Sequence, residues 1–143
     1  MSGKDFKREG HPPMNYETFE PTGFPSPAQD SRMYPIDLNL ELVTHPSTTF
    51  FARIDGESMS ADGVHDGDIL VIDRSLSPRS GDMVVCYIDG AFNVKYFRET
   101  ELYGVMLYSI DPDRKPLRLS PSDDFTIWGV VTYVIHKANK RRL

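Results

Sequence analysis

Asp89-Gly90, set between Met83-Val84-Val85-Cys86-Tyr87-Ile88 and Ala91-Phe92-Asn93-Val94-Lys95, constrains the fold of this chain more than any other feature. Two apolar runs separated by two residues of this type predict a tight β-hairpin, because both turn positions need positive φ. A two-residue loop also sets the register. Ile88 then pairs with Ala91, Cys86 with Asn93 and Val84 with Lys95. Side chains alternate along a strand, so Asn93, Lys95 and Phe97 share one face. Lys95 is therefore predicted to project between Val84, Cys86 and Phe97, an apolar setting for the only charge in Ala91–Phe97.

A lysine in such a place can do chemistry that a solvated one cannot. Free lysine titrates near 10.4, and withdrawal from water disfavours its charged form. A neutral amine can take a proton from a serine hydroxyl and activate it as a nucleophile. Ser58 lies 95 − 58 = 37 residues earlier, in Gly56-Glu57-Ser58-Met59 at the end of the strand-like run Phe50–Asp55. Taken singly, lysines on strands guard sheet edges and serines after glycine make turns. Together, Ser58 and Lys95 are the two parts of a Ser/Lys dyad.

The rest of the chain divides by composition. Seven of the eleven prolines fall within the first 48 residues, a stretch with little apolar periodicity, which predicts an extended arm. A short helical turn is expected at Leu38–Val43, capped by Asp37 and ended before Pro46. From Phe50 onward, strand-like runs occur at Phe50–Asp55, Ile69–Asp73, Met83–Ile88, Ala91–Phe97, Leu102–Tyr108 and Ile127–Ile135. Turn signals separate them, among them Asp62-Gly63, Asp66-Gly67, Asp111-Pro112 and Ser120-Pro121. The expected fold class is mainly β, a compact twisted β domain over 49–143, with an extended N-terminal arm.

Composition excludes several functions. The net charge of −5 gives no electrostatic footprint for DNA. One cysteine, Cys86, rules out an internal disulfide and fits a reducing, cytoplasmic setting. No run approaches the roughly 18 apolar residues of a membrane span. Asp62, Asp66, Asp68 and Asp73 do not follow the order of a calcium-binding loop, and turn chemistry accounts for them. His11, His45, His65 and His136 lack metal-ligand spacing, so no metal or cofactor is expected. His65 is the histidine nearest Ser58 in sequence, but no motif places it as a triad base. The basic end, Lys137, Lys140, Arg141 and Arg142, reads as a solvated tail.

Gly56-Glu57-Ser58-Met59, Asp66-Gly67-Asp68, Gly81-Asp82 and Phe92-Asn93-Val94-Lys95-Tyr96 together resemble the LexA/UmuD-type self-cleaving serine peptidases. The similarity extends to Gly23-Phe24-Pro25-Ser26-Pro27-Ala28, Ile36-Asp37-Leu38-Asn39 and Trp128-Gly129-Val130-Val131, and so covers about residues 20 to 136. The upstream match is to the branch that serves error-prone polymerases, since the repressors carry a DNA-binding head where this chain has a short arm. The resemblance implies the LexA C-terminal, signal-peptidase-like fold. It implies Ser58 as nucleophile, Lys95 as general base, and the backbone amides around Glu57 and Ser58 as the oxyanion site. It implies a cut in the chain's own arm between Thr22 and Gly23, which would give a removable segment 1–22 and leave an arm over 23–48. It further implies a homodimer, stimulation of cutting by a RecA–single-stranded DNA filament in the SOS response, and a UmuC-type polymerase as partner.

Thr22 departs from the family pattern, which places a small residue before the scissile glycine. Its β-branch adds bulk and restricts its own rotamers, which bears on the rate of cutting rather than its place. A signal-peptidase relative would need a membrane anchor. A dimeric binding module that never cuts is the alternative reading.

Overall fold

The computed structural model describes residues 35–120, 124–139 and 141, and it divides into two units at Thr44/His45. In the first, helix α1 spans Leu38–Leu42. The Asp37 carboxylate accepts from Asn39 N (3.0 Å) and Leu40 N (3.4 Å), satisfying donors that a helix start leaves open. The expected helical turn is there. Thr22, Gly23 and His11 lie outside the described residues, as do the expected segment 1–22 and residues 23–34 of the expected arm.

The second unit carries seven antiparallel strands: β1 Thr49–Arg53, β2 Ile69–Asp73, β3 Met83–Ile88, β4 Ala91–Thr100, β5 Gly104–Tyr108, β6 Leu117–Arg118 and β7 Phe125–Ile135. They form one sheet in the order β1-β2-β7-β3-β4-β5-β6. The mainly β expectation holds. The β3–β4 hairpin has the expected register, with Ile88 opposite Ala91, Cys86 opposite Asn93 and Val84 opposite Lys95. Its turn residues take the positive φ that a two-residue loop needs, 49° at Asp89 and 84° at Gly90.

Strand ends are corrected. β1 stops at Arg53 rather than Asp55, where the chain turns into the loop bearing Ser58. β5 starts at Gly104 rather than Leu102, because residues 101–103 form the turn from β4. β4 runs on to Thr100 and β7 begins at Phe125. β6 was not foreseen: two residues after Pro116 carry no alternation to read.

The last strand, β7, enters the middle of the sheet between β2 and β3. Its pairing slips twice. Val71 and Ile72 face Tyr133 and Val131, and Val85 and Cys86 face Gly129 and Ile127, so Thr132 and Trp128 are extra residues. Such bulges bend a strand and re-aim a side chain. Gly129, beside the second bulge, has no room for more: a Cβ there would lie 2.6 Å from Ile72 Cγ2.

The sheet is buried on both faces. Val64, Leu70, Ile72, Val85 and Val94 form one cluster, with Met59 and Trp128 packed against it. Val84, Cys86, Phe97, Leu107 and Val130 form the other. Val84 and Val85 take opposite sides, as alternation requires.

Candidate active site

Ser58 sits on the exposed loop between β1 and β2. The loop begins at Gly56, whose φ of 96° is open to glycine and strained for other residues. Gly56 N–H donates to Asp66 Oδ1 at 2.6 Å, and Glu57 Oε2 accepts from Asp66 N at 3.2 Å. The side chain of Met59 enters the first core cluster, and its carbonyl accepts from Asp62 N and Val64 N at 3.0 and 3.2 Å. Ser58 is thus held between two anchored neighbours while its hydroxyl stays exposed.

The backbone amides here are the chemically telling groups. Among the described residues, the N–H groups of Glu57, Ser58 and Met59 donate no hydrogen bond. Buried backbone N–H groups are ordinarily paired within the protein, whereas on an exposed loop such as this one they are open to water or to a ligand. Three consecutive N–H groups beside an exposed serine are therefore available to an incoming oxygen.

Lys95 is half-buried on β4, and it makes no hydrogen bond or ion pair among the described residues. Its face carries Phe97 and lies beside the fully buried Cys86. Burial pushes the Cys86 thiol up to about 11, against the opposing pull of the Lys95 charge. Cys86 is a small core residue whose Sγ donates to Asn93 O at 3.4 Å. The expected apolar setting of Lys95 is present. No hydrogen bond joins Ser58 Oγ to Lys95 Nζ among the described residues.

The other residues singled out in the sequence serve the scaffold. Asp62, nearly buried, accepts from Ser109 Oγ (2.7 Å) and Ile110 N (2.6 Å). Tyr96, its phenol pushed up by burial and by the Asp62 charge, donates to Asp62 O at 3.3 Å. Asp68 accepts from His65 N (2.8 Å) and meets His136 Nδ1 at 2.7 Å. Burial alone would raise its carboxyl, yet these partners hold it below the ordinary carboxylate value. His65 faces Glu57, at 3.3 Å, and its ring centroid lies 5.5 Å from that of His136. Among the described residues no group of three or more His, Cys, Asp or Glu is placed to hold a metal. No described helix is long and apolar enough to cross a membrane.

Two features had no signal in the sequence. Arg114 Nη2 donates to Ser58 O at 2.8 Å across 56 residues of chain. An apolar cavity of about 330 Å³ opens beside Met59, lined by Ala52, Ile54, Phe92, Val94 and Trp128 among others. The bulge at Trp128 feeds this cavity. Its ring meets Phe50 and Phe92 edge-on, and Arg74 lies 4.3 Å over it while donating to its carbonyl at 2.8 Å.

Comparison with known proteins places this chain in a family. The model of the Peptidase S24-like family matches residues 17–132. Protein ImpA of Salmonella typhimurium is 40% identical over 126 residues, covering 84% of this chain and 81% of that protein. Protein SamA of S. typhimurium strain LT2 is 39% identical over 117 residues, covering 82% and 80%. Protein MucA of Escherichia coli is 40% identical over 118 residues, covering 78% and 75%. The matched stretch holds the Ser58 loop, the β3–β4 hairpin with Lys95 and the first eight residues of β7, and the chain belongs to the Peptidase S24-like family, in its LexA/UmuD type.

Proposed function

We propose that this protein is a self-cleaving serine peptidase that cuts its own arm between Thr22 and Gly23 and thereby becomes the active subunit of an error-prone translesion polymerase. The observation that carries the reading is the trio of open amides at Glu57, Ser58 and Met59 around an exposed serine hydroxyl. Lys95, apolar-walled and without a partner among the described residues, supplies the base.

In this mechanism Ser58 Oγ attacks the Thr22 carbonyl carbon while neutral Lys95 takes the hydroxyl proton. The carbonyl oxygen becomes an oxyanion held by the Glu57 and Ser58 amides, with the open Met59 amide as a third donor. The C–N bond to Gly23 breaks as Lys95 returns the proton to the departing amine. Water then hydrolyses the Thr22–Ser58 ester, again with Lys95 as base. The products are residues 1–22 and a chain beginning at Gly23. The 1–22 segment, the arm over 23–48 and the β domain over 49–143 are in this reading the three working parts.

The partners follow from the same reading: a homodimer, a RecA–single-stranded DNA filament that stimulates cutting in the SOS response, and a UmuC-type polymerase, all in the cytoplasm. The rival is a dimeric binding module that regulates a translesion polymerase without cutting. It is favoured by one observation, the missing hydrogen bond between Ser58 Oγ and Lys95 Nζ. Catalytic hydrogen bonds are often long before substrate arrives and tighten in the complex, and the filament is assigned that closing role.

Mass spectrometry of the purified chain, incubated with and without a RecA–ATP–single-strand filament, tests this. A fragment beginning at Gly23, formed faster with filament, is expected. An intact chain under both conditions, and at alkaline pH, leaves the binding module as the function.

A further inference from the structure

Ser58 makes one hydrogen bond among the described residues, and Arg114 provides it, Nη2 to carbonyl oxygen at 2.8 Å. The neighbours of Ser58 are held otherwise: Glu57 through its carboxylate, Met59 through the core and through Asp62 and Val64. The Ser58–Met59 peptide is therefore oriented from outside its own loop by a single side chain.

That side chain is itself aimed. Arg114 Nε lies 3.6 Å from Asp111 Oδ2, and Arg114 N donates to Asp111 O at 3.0 Å. Asp111 N donates to Ser109 Oγ at 3.1 Å, and Ser109 Oγ donates to Asp62 Oδ2. Asp62 lies four residues after Ser58. The β5–β6 loop thus grips the nucleophile loop at two points, Asp62 and Ser58 O, and the hydrogen bonds close a ring.

We propose that Arg114 is a positioning residue for the nucleophile, fixing the plane of the Ser58–Met59 peptide so that Ser58 and the open amide of Met59 face the bond to be cut. A trans peptide is planar, with its C=O and N–H directed oppositely. Pinning Ser58 O on the Arg114 side therefore directs the Met59 N–H the other way. A charged donor on the carbonyl also polarises that peptide and strengthens its N–H as a donor to an oxyanion. The inference rests on the reading of Ser58 as nucleophile.

The test compares the full-length chain with Arg114→Met, which keeps the aliphatic stem and loses every donor, and Arg114→Lys, which keeps one. Three quantities are measured: filament-free self-cleavage across pH, the rate at which a fluorophosphonate labels the Ser58 hydroxyl, and the melting temperature. Arg114→Met is expected to slow cleavage and labelling by about ten- to a hundredfold, the cost of a small misplacement of reacting groups. Its pH–rate curve should keep its midpoint while its plateau falls, because Arg114 does not touch Lys95. Arg114→Lys should restore most of both rates.

Wild-type rates in Arg114→Met overturn the inference and leave Ser58 as nucleophile. So does a loss of rate shared equally by both variants, or one that appears only together with a matching fall in melting temperature. A wild-type chain that neither cuts nor takes the label removes the peptidase reading itself, and the inference with it.

Discussion

Lys95 stands directly across from Val84 in the β3–β4 ladder, on the face that carries Phe97 and beside the fully buried Cys86. Its amine makes no hydrogen bond or ion pair among the described residues, and this apolar wall is the setting that the proposed role of general base calls for.

Ser58→Ala and Lys95→Ala are each expected to abolish the appearance of a fragment beginning at Gly23. Nucleophile and base act as one unit, so either single loss is nearly complete. Circular dichroism and limited proteolysis should show the β domain unchanged, since Ser58 is exposed and Lys95 only half-buried. Normal cutting by either variant would remove the dyad.

Self-cleavage without filament should accelerate as pH rises above 7 and then level off, the profile of a general base that works only unprotonated. Time courses by gel at successive pH values, with the fold checked at each, read this directly. A rate that declines with alkalinity while the fold persists points to a different base.

Thr22→Ala should cut faster than wild type by roughly ten- to a hundredfold, with the cut still before Gly23. The residue before the scissile bond has to place its carbonyl on the open amides, and an overpacked group in a tight site costs about 1–3 kcal/mol. Each ~1.4 kcal/mol on the barrier is tenfold in rate. Equal rates under one alkaline condition would mean that the site accommodates threonine.

Asp73→Asn should destabilise the sheet by about 1.5–3 kcal/mol at neutral pH, the usual range for hydrogen bonds to a charged group. Asp73 is only 4% exposed; burial would raise its carboxyl. His45 Nδ1 at 2.5 Å, Ser75 N and Oγ at 2.9 and 2.7 Å, and Thr48 Oγ1 at 2.9 Å outweigh burial and hold it far below the ordinary value. A carboxyl depressed on folding stabilises above its unfolded pKa of about 3.9, and that stability drains away as pH falls toward the folded value. Urea melts should therefore separate wild type from variant at pH 7 and bring them together in strong acid. A constant difference across that range would mean that the carboxylate charge is not the source.

Gly129→Ala should lower the melting temperature, because the new methyl would sit 2.6 Å from Ile72 Cγ2 and 3.3 Å from Arg74 Cγ. Ile72 is a buried, β-branched side chain with little freedom to yield. Overpacking of this kind costs about 1–3 kcal/mol. An unchanged melt would show that the bulge at Trp128 absorbs the strain.

What the sequence determined by itself is what short stretches decide. Asp89-Gly90 forces a two-residue turn, and a two-residue turn leaves one register, so Val84 opposite Lys95 was legible residue by residue. Asp37 before Leu38 set the start of α1 for the same local reason, a side-chain oxygen meeting free amides. The Ser58 loop was legible as a glycine-hinged turn after a strand. The tertiary structure alone decided what pairs across distance. Alternation is the same for every partner a strand could choose, so nothing in Phe125–Ile135 announces its place between β2 and β3, and nothing announces the bulge that turns Trp128 toward the cavity. The hold of Arg114 on Ser58, of Asp62 on Ile110 and of His136 on Asp68 spans 56, 48 and 68 residues. Those contacts exist only once the sheet has fixed which loops lie side by side, and side-chain hydrogen bonds then form with whatever donors the strand order has brought within reach.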